Sequence, residues 1–289
     1  MTRTWLITGA SRGLGRAIAR GVLEAGHNVV ATARDPARIA DLCAVFPDRA
    51  AAVALDVTDE AAARLAVETA IARFGRLDVV VNNAGYADLG SIEDLPPADF
   101  RRQVETNFFG AVNVTRAALP AMREQGSGHF FQISSIGARA GAAGLSGYQA
   151  AKWALEGFSE VLFREVSPLG IKVTIIEPGG FRTDWAGSSM RIVPIRPEYE
   201  ASIRPLADYL RSHTGKEPGD PAKAAEVLLE VAEMDEPPMR LLLGSDALRN
   251  AGMANAWRAA EDEKWAHLSR RTDHENPGQP GSAPPKFVD

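Results

Sequence analysis

Thr8-Gly9-Ala10-Ser11-Arg12-Gly13-Leu14-Gly15 is the stretch that decides the fold. It follows the apolar run Trp5-Leu6-Ile7 and opens a segment of helical periodicity, so it reads as the turn between a first strand and a first helix. Glycines at 9, 13 and 15 let backbone approach a pyrophosphate closely, while the free N–H groups and dipole of a helix start favour its negative charge. Tight turns and helix packing also use glycine clusters. The strand before and the helix after are what point to a nucleotide, with Ser11, Arg12 and Leu14 in the same loop.

Outward from this loop, short β-branched runs alternate with Ala-rich helical patterns. The runs are Thr4 to Thr8, Asn28 to Ala33, Ala51 to Leu55, Leu77 to Asn82, His129 to Ser134, Lys172 to Glu177 and Arg240 to Leu243. They are nearly continuous in apolar residues rather than alternating, which predicts a parallel sheet covered by helices on both faces. Helices are expected near 13–26, 36–46, 59–73, 97–125 and 147–167. Asp35-Pro36 and Thr58, with Ala61 downstream, are read as start signals. Between Phe181 and Asp220 the alternation fails, and 181–220 is expected to be a substrate-side lid with one or two short helices. A last strand and helix follow at about 239–268. After Arg271 the sequence is too polar to bury a core, so one domain is expected over 1–271 with a disordered tail over 272–289.

At 289 residues and 45% hydrophobic content the chain can bury one such sheet. A net charge of -5 gives no field to recruit nucleic acid or an anionic membrane, so a small-molecule partner is expected. The single cysteine, Cys43, excludes an internal disulfide and a thiolate metal cluster. Five histidines, His27, His129 and His213 among them, lack partners at metal-ligand spacing, so no metal is expected. No apolar run approaches the roughly 20 residues of a membrane span. A soluble, cytoplasmic protein is the expectation.

The end of the second strand discriminates between nicotinamide cofactors, because an acidic residue there would repel a 2′-phosphate. The chain has Ala33, followed by Arg34, and Arg12 is read as projecting toward the same side. Two guanidinium groups form a fork for a 2′-phosphate, which favours NADP(H) over NAD(H). After the third strand, Asp56 is positioned either for the adenine or as a helix cap.

Tyr148 and Lys152 are one helical turn apart and share a face. A nearby ammonium is expected to lower the tyrosine pKa from about 10 and make it an acid/base near neutral pH. Ser135 lies just past the fifth strand, where ligands of doubly wound sheets bind, and could hold a substrate oxygen; adjacent Ser134 competes for that role.

Taken together, these motifs resemble the short-chain dehydrogenase/reductase family over residues 4 to about 184. The family's glycine pattern is Thr8 to Gly15, its N-N-A-G motif is Asn82-Asn83-Ala84-Gly85, and its helix asparagine is Asn107. Its serine, tyrosine and lysine are Ser135, Tyr148 and Lys152, and its segment after the sixth strand is Pro178-Gly179, with Phe181 and Thr183 following. The resemblance implies a Rossmann-type α/β fold and an oxidoreductase interconverting a carbonyl and an alcohol by hydride transfer. It assigns Ser135 rather than Ser134, from a spacing of thirteen positions to the tyrosine. It gives Asn107 a water that links to Lys152, Lys152 the nicotinamide ribose, and Asn83, Ala84, Gly85, Pro178, Gly179, Phe181 and Thr183 the cofactor. A homodimer or homotetramer through 97–125 and 147–167 is implied, with the helix from Ala247 to His267 as a further interface. Tyr86, Ile136, Ala142, Leu145, Phe181, Trp185 and Met190 suggest an apolar or aromatic carbonyl substrate. The alternatives are a non-catalytic NADP-binding regulatory protein and an epimerase or lyase reaction on the same scaffold.

Overall fold

The continuous apolar runs form strands buried on both faces in the computed structural model of the protein, which describes residues 1–187 and 189–274. The chain runs β1 (Thr4–Ile7), α1 (Gly13–Glu24), β2 (Asn28–Ala33), α2 (Ala40–Val45), β3 (Ala50–Ala54), α3 (Glu60–Phe74) and β4 (Val79–Asn82). Next come β5 (Asp88–Leu89), α4 (Pro97–Val104), α5 (Gly110–Gln125), β6 (Gly128–Ile133), α6 (Ser146–Val166) and β7 (Ile171–Pro178). It ends in β8 (Arg191–Ile192), α7 (Pro197–His213), α8 (Pro221–Glu233), β9 (Arg240–Leu243) and α9 (Ser245–Ser269). Seven strands form one sheet in the order β3-β2-β1-β4-β6-β7-β9, every pair parallel. The order reverses between β1 and β4, which opens a crevice at their carboxyl ends, the place where such sheets bind ligands.

Neighbouring residues of each strand divide between two cores, which is why the runs do not alternate. Trp5, Ile7, Val29 and Phe131 meet α1 and α8 on one face. Leu6, Val30, Val80 and Phe130 meet α3, α5 and α6 on the other. Trp5 and Phe131 stack across the sheet with ring centroids 5.9 Å apart, a pairing that contributes about 0.5–1.5 kcal/mol beyond its buried area.

The expected strands and helix positions hold in the main, with differences; among them, the helix expected over 36–46 begins as a 3-10 turn, Pro36–Ile39, and β5 and β8 are not among the expected strands. Asp35 accepts from the Ala37 N–H as expected, but α3 is capped one residue later than read: Asp59, not Thr58, accepts from the N–H groups of Ala61 and Ala62. The helix expected over 97–125 is divided by a π-helical turn, Glu105–Phe109. In the lid region, where one or two short helices are expected, the chain forms a 17-residue helix, α7, with Pro205 inside it. Asp220-Pro221 starts α8, repeating the signal of Asp35-Pro36, with Asp220 accepting from the Ala222 N–H. The expected tail lies outside the described residues from 275 onward, and within them Arg270–Thr272 form a short 3-10 turn.

Candidate active site

The glycine loop is stitched to the segment after β4. Buried Thr8 accepts through its hydroxyl from the N–H groups of Asn83 at 2.9 Å and Ala84 at 3.0 Å. The Asn83 amide donates back to the carbonyls of Thr8 at 2.8 Å and Gly9 at 3.3 Å. A Cβ on Gly15 would run into that amide and lie 2.6 Å from the Gly9 carbonyl oxygen. Gly13 has a φ of +57°, and a Cβ there would touch Thr183. No side chain caps α1 and its first turn carries no acid, whereas carboxylates cap α3 and α8. The N–H groups at Gly13, Leu14 and Gly15 and the positive end of the helix dipole suit a diphosphate.

The side chains expected at the adenosine end take separate positions. Arg34 is exposed just beyond β2, and Asp35 spends its carboxylate on the Ala37 N–H instead of on Arg34. Arg12 pairs with Asp184 at 3.5 Å, so it faces the segment after β7 instead of completing a fork with Arg34. Asp56 accepts from the Thr58 N–H at 3.0 Å and hydroxyl at 2.8 Å.

The first turns of α6 bring Tyr148 and Lys152 to the carboxyl end of β6. They are 7% and 3% exposed, the Lys152 Nζ lies 5.8 Å from the Tyr148 ring centroid, and it donates to the Ile133 carbonyl at 2.7 Å. Ser135 sits at the start of a short 3-10 turn, its hydroxyl accepting from the Gly137 N–H at 3.0 Å and lying close enough to Tyr148 to influence its pKa. Ser134 turns the opposite way and donates to Glu156 at 2.7 Å. Strand alternation therefore separates the two serines.

Asn107 lies in the π turn, 1% exposed. Its amide donates to the carbonyls of Tyr86 at 2.9 Å and Gln103 at 2.8 Å, and its oxygen accepts from the Tyr86 N–H at 3.2 Å. The side chain is thus used in tying helix to loop. Gly85 lies between it and Lys152, where a Cβ would come within 3.5 Å of the lysine Nζ.

Electrostatics here run against one expectation. Burial pushes the Tyr148 phenol up to about 12, opposed by the Ser135 hydroxyl, and the ammonium of Lys152 does not bring it below the ordinary value. Burial also draws Lys152 down to about 8, opposed by the charge of Glu156. Desolvation of the charged form outweighs the pairing for both groups.

Beyond β7 the chain folds over the tyrosine. Gly179 donates its N–H to the Leu243 carbonyl, and Gly180 donates to the carboxylate of Asp246 at 2.8 Å, a residue that sequence reading missed. Phe181 bridges to Gly219, and Thr183 lies against the glycine loop. Trp185 faces Tyr148 with ring centroids 5.3 Å apart, above an apolar cluster that includes Leu89, Leu145, Met190 and Ile203. The two-residue strands β5 and β8 pair beside this cluster, fastened by Arg191 to Asp88 at 2.8 Å and to Asp99. Tyr86, Ile136 and Ala142 are half-buried around the same edge.

Comparison with known proteins agrees with this arrangement. Residues 3–191 match the family model described as short chain dehydrogenase. The oxidoreductase BOA17 of Botryotinia fuckeliana is 51% identical over 270 residues, 93% of this chain and 98% of that protein. A crystal structure of a short-chain dehydrogenase from Streptomyces avermitilis superposes with a TM-score of 0.89 at 42% identity, over 95% of this chain and 100% of that one. A 3-ketoacyl-(acyl-carrier-protein) reductase from Brucella melitensis, solved with NADH, superposes with a TM-score of 0.71 at 27% identity, over 83% of this chain and 96% of that one. The strand order, the stitched glycine loop and these matches make the chain a member of the short-chain dehydrogenase family of NAD(P)-dependent oxidoreductases.

Proposed function

We propose that the protein is an NADP(H)-dependent ketone reductase in which Tyr148 passes a proton to the substrate oxygen, Ser135 holds that oxygen and Lys152 supports the phenolate left behind. The observation that carries this reading is the meeting of three side chains at one strand end: Ser135 beside Tyr148, opposing the rise of its pKa, and Lys152 5.8 Å from its ring. A bound nicotinamide dinucleotide supplies the hydride in reduction and accepts it in oxidation. Gly9, Ser11, Gly13, Leu14 and Gly15 would hold its diphosphate, Arg34 its 2′-phosphate, and Asp56 its adenine. Asn83, Ala84 and Gly85 would line its middle, Lys152 its ribose, and Pro178, Gly179, Phe181 and Thr183 its nicotinamide end.

With a pKa raised to about 12, Tyr148 is fully protonated through neutral pH, the form that donates in reduction. As negative charge grows on the carbonyl oxygen, the phenol releases its proton to it and Ser135 keeps its hydrogen bond. The ammonium of Lys152 then faces the new phenolate inside a buried site, where the interaction is strong. Asn107 shapes the turn beside Lys152, and a linking water would lie between that turn and the lysine. Trp185 and the cluster beneath it favour an apolar or aromatic ketone, with 181–220 as the lid. Exposed Phe109 and Val161, on the helices implied to assemble, support a homodimer or homotetramer.

The test is consumption of NADPH, followed by its absorbance, across a panel of apolar and aromatic ketones, with NADH as the control. A Tyr148→Phe variant should lose about 100-fold or more of kcat. Turnover at the wild-type rate in that variant would sink the mechanism.

A further inference from the structure

We propose that Glu156 is a positioning residue of this site: its carboxylate ties the end of β6 to α6 and is the buried counter-charge one helical turn from Lys152. The proposal rests on the roles given above to Ser135, Tyr148 and Lys152. Glu156 is 6% exposed, and at a spacing of four residues its side chain shares the face of α6 that carries Lys152. One carboxylate oxygen accepts from Ser134 at 2.7 Å, the other from Arg240 of β9 at 2.6 Å.

The first of these bonds fixes geometry. Ser134 and Ser135 are adjacent and point to opposite sides, so holding the Ser134 hydroxyl sets the direction of Ser135. Lys152 makes the second tie across the same gap, through the Ile133 carbonyl. Together they fasten the strand that carries the serine to the helix that carries the tyrosine.

Charge balance is the other half of the argument. Arg240 also binds Glu177 at 3.0 Å and Glu160 at 2.5 Å, and Arg139 binds Glu177, which is fully buried. Lys152, Arg139 and Arg240 thus lie near Glu156, Glu160 and Glu177, and half-buried Arg258 of α9 donates to the Arg139 carbonyl beside them, so cations already outnumber carboxylates in this cluster. Removing the charge of Glu156 enlarges the excess of positive charge in a poorly solvated region. Lys152 is the member of the set that can release a proton, since a guanidinium does not. Glu156 is also the charge that opposes the burial of Lys152.

The experiment uses NMR of 13Cε-labelled lysine in the cofactor-free full chain, with Lys152→Arg to assign the signal. Lys152 should titrate near 8 in the wild type. In Glu156→Gln, which keeps an acceptor for Ser134 but no charge, that titration should move down by about one pH unit or more. Glu156→Asp, which keeps the charge, should restore it. With a ketone substrate the alkaline fall of kcat should move by the same amount in Glu156→Gln, with KM little changed. The wild-type Lys152 signal should also show a second, smaller inflection where Glu156 titrates, above the ordinary carboxylate range. This last measurement needs no variant to fold. A Lys152 titration identical in wild type and Glu156→Gln, or no acid inflection, overturns the proposal. Shifted lysine signals without turnover of any ketone would instead refute the proposed function and leave the coupling standing.

Discussion

His129 offers a sharp test of the packing behind the site. It is 4% exposed in β6, its ring 4.2 Å from that of Phe131. The Thr174 hydroxyl donates to the Pro238 carbonyl at 2.9 Å, so toward His129 it can only accept, and the histidine must carry its proton on Nε2, 2.9 Å away. Nδ1 is buried with no partner among the described residues. A second proton would create a cation there without an acceptor, near Lys172 and Arg3, and burial with these two cations holds the pKa at about 3 instead of 6.5. Above pH 6.5 both native and unfolded chains are neutral at this residue, and nothing is gained or lost. As pH falls below 6.5 the unfolded chain takes the proton first, so stability falls until the folded pKa is reached near 3. At 1.36 kcal/mol per pH unit the loss is about 2 kcal/mol at pH 5 and about 5 kcal/mol in full. His129→Phe keeps an aromatic ring but cannot titrate; losing the bond to Thr174 costs it about 1 kcal/mol at every pH. Urea unfolding of both proteins at pH 8 and pH 5 reads the difference, because the other titrating groups cancel between them. Wild type should lose about 2 kcal/mol more than the variant between the two pH values. Equal losses, within about 0.5 kcal/mol, would mean that the folded chain accepts the proton and that the tautomer argument is wrong.

Two further outcomes bear on the cofactor. Gly15→Ala should displace the Asn83 amide from the carbonyls of Thr8 and Gly9 and weaken NADPH binding by about tenfold or more in a fluorescence titration; unchanged binding would separate the loop's shape from Asn83. Arg34→Ala should raise KM for NADPH by about tenfold or more while leaving that for NADH within about twofold, and equal effects on both would remove Arg34 from the 2′-phosphate.

Much of the fold could be read in advance because strands such as Val29-Val30-Ala31 and Phe130-Phe131 are covered on both faces, which writes burial into the sequence as unbroken apolar runs. The serine, tyrosine and lysine were legible for a related reason: fixed spacing on one helix and one strand end places them. Features that depend on distant partners were not. β5 and β8 are two residues each and meet across about a hundred positions, leaving no local pattern. Glu156, Glu177 and Arg240 each look like surface charge until β6, β7 and β9 lie side by side. The raised pKa of Tyr148 depends on depth, which spacing to Lys152 does not encode. One signal was present and unused: buried Asp99, Gln103, Asn107, Ala111 and Thr115 step by four, a stripe that drifts by about 40° per step on a regular helix and that a wider π turn helps to realign.

The stitching of the glycine loop has a consequence for how the protein acquires its activity. Thr8 and Asn83 are 75 positions apart, so the loop takes its shape only after the three crossover helices α1, α2 and α3 have packed and β4 has docked beside β1. The sequence fingerprint at 8–15 is therefore no portable module. A fragment ending before β4 would contain every residue of the motif and still lack the clamp that shapes it. Competence to hold a dinucleotide arrives late, as a property of the assembled half-sheet, with the slow, non-local closure typical of parallel topologies as its rate limit.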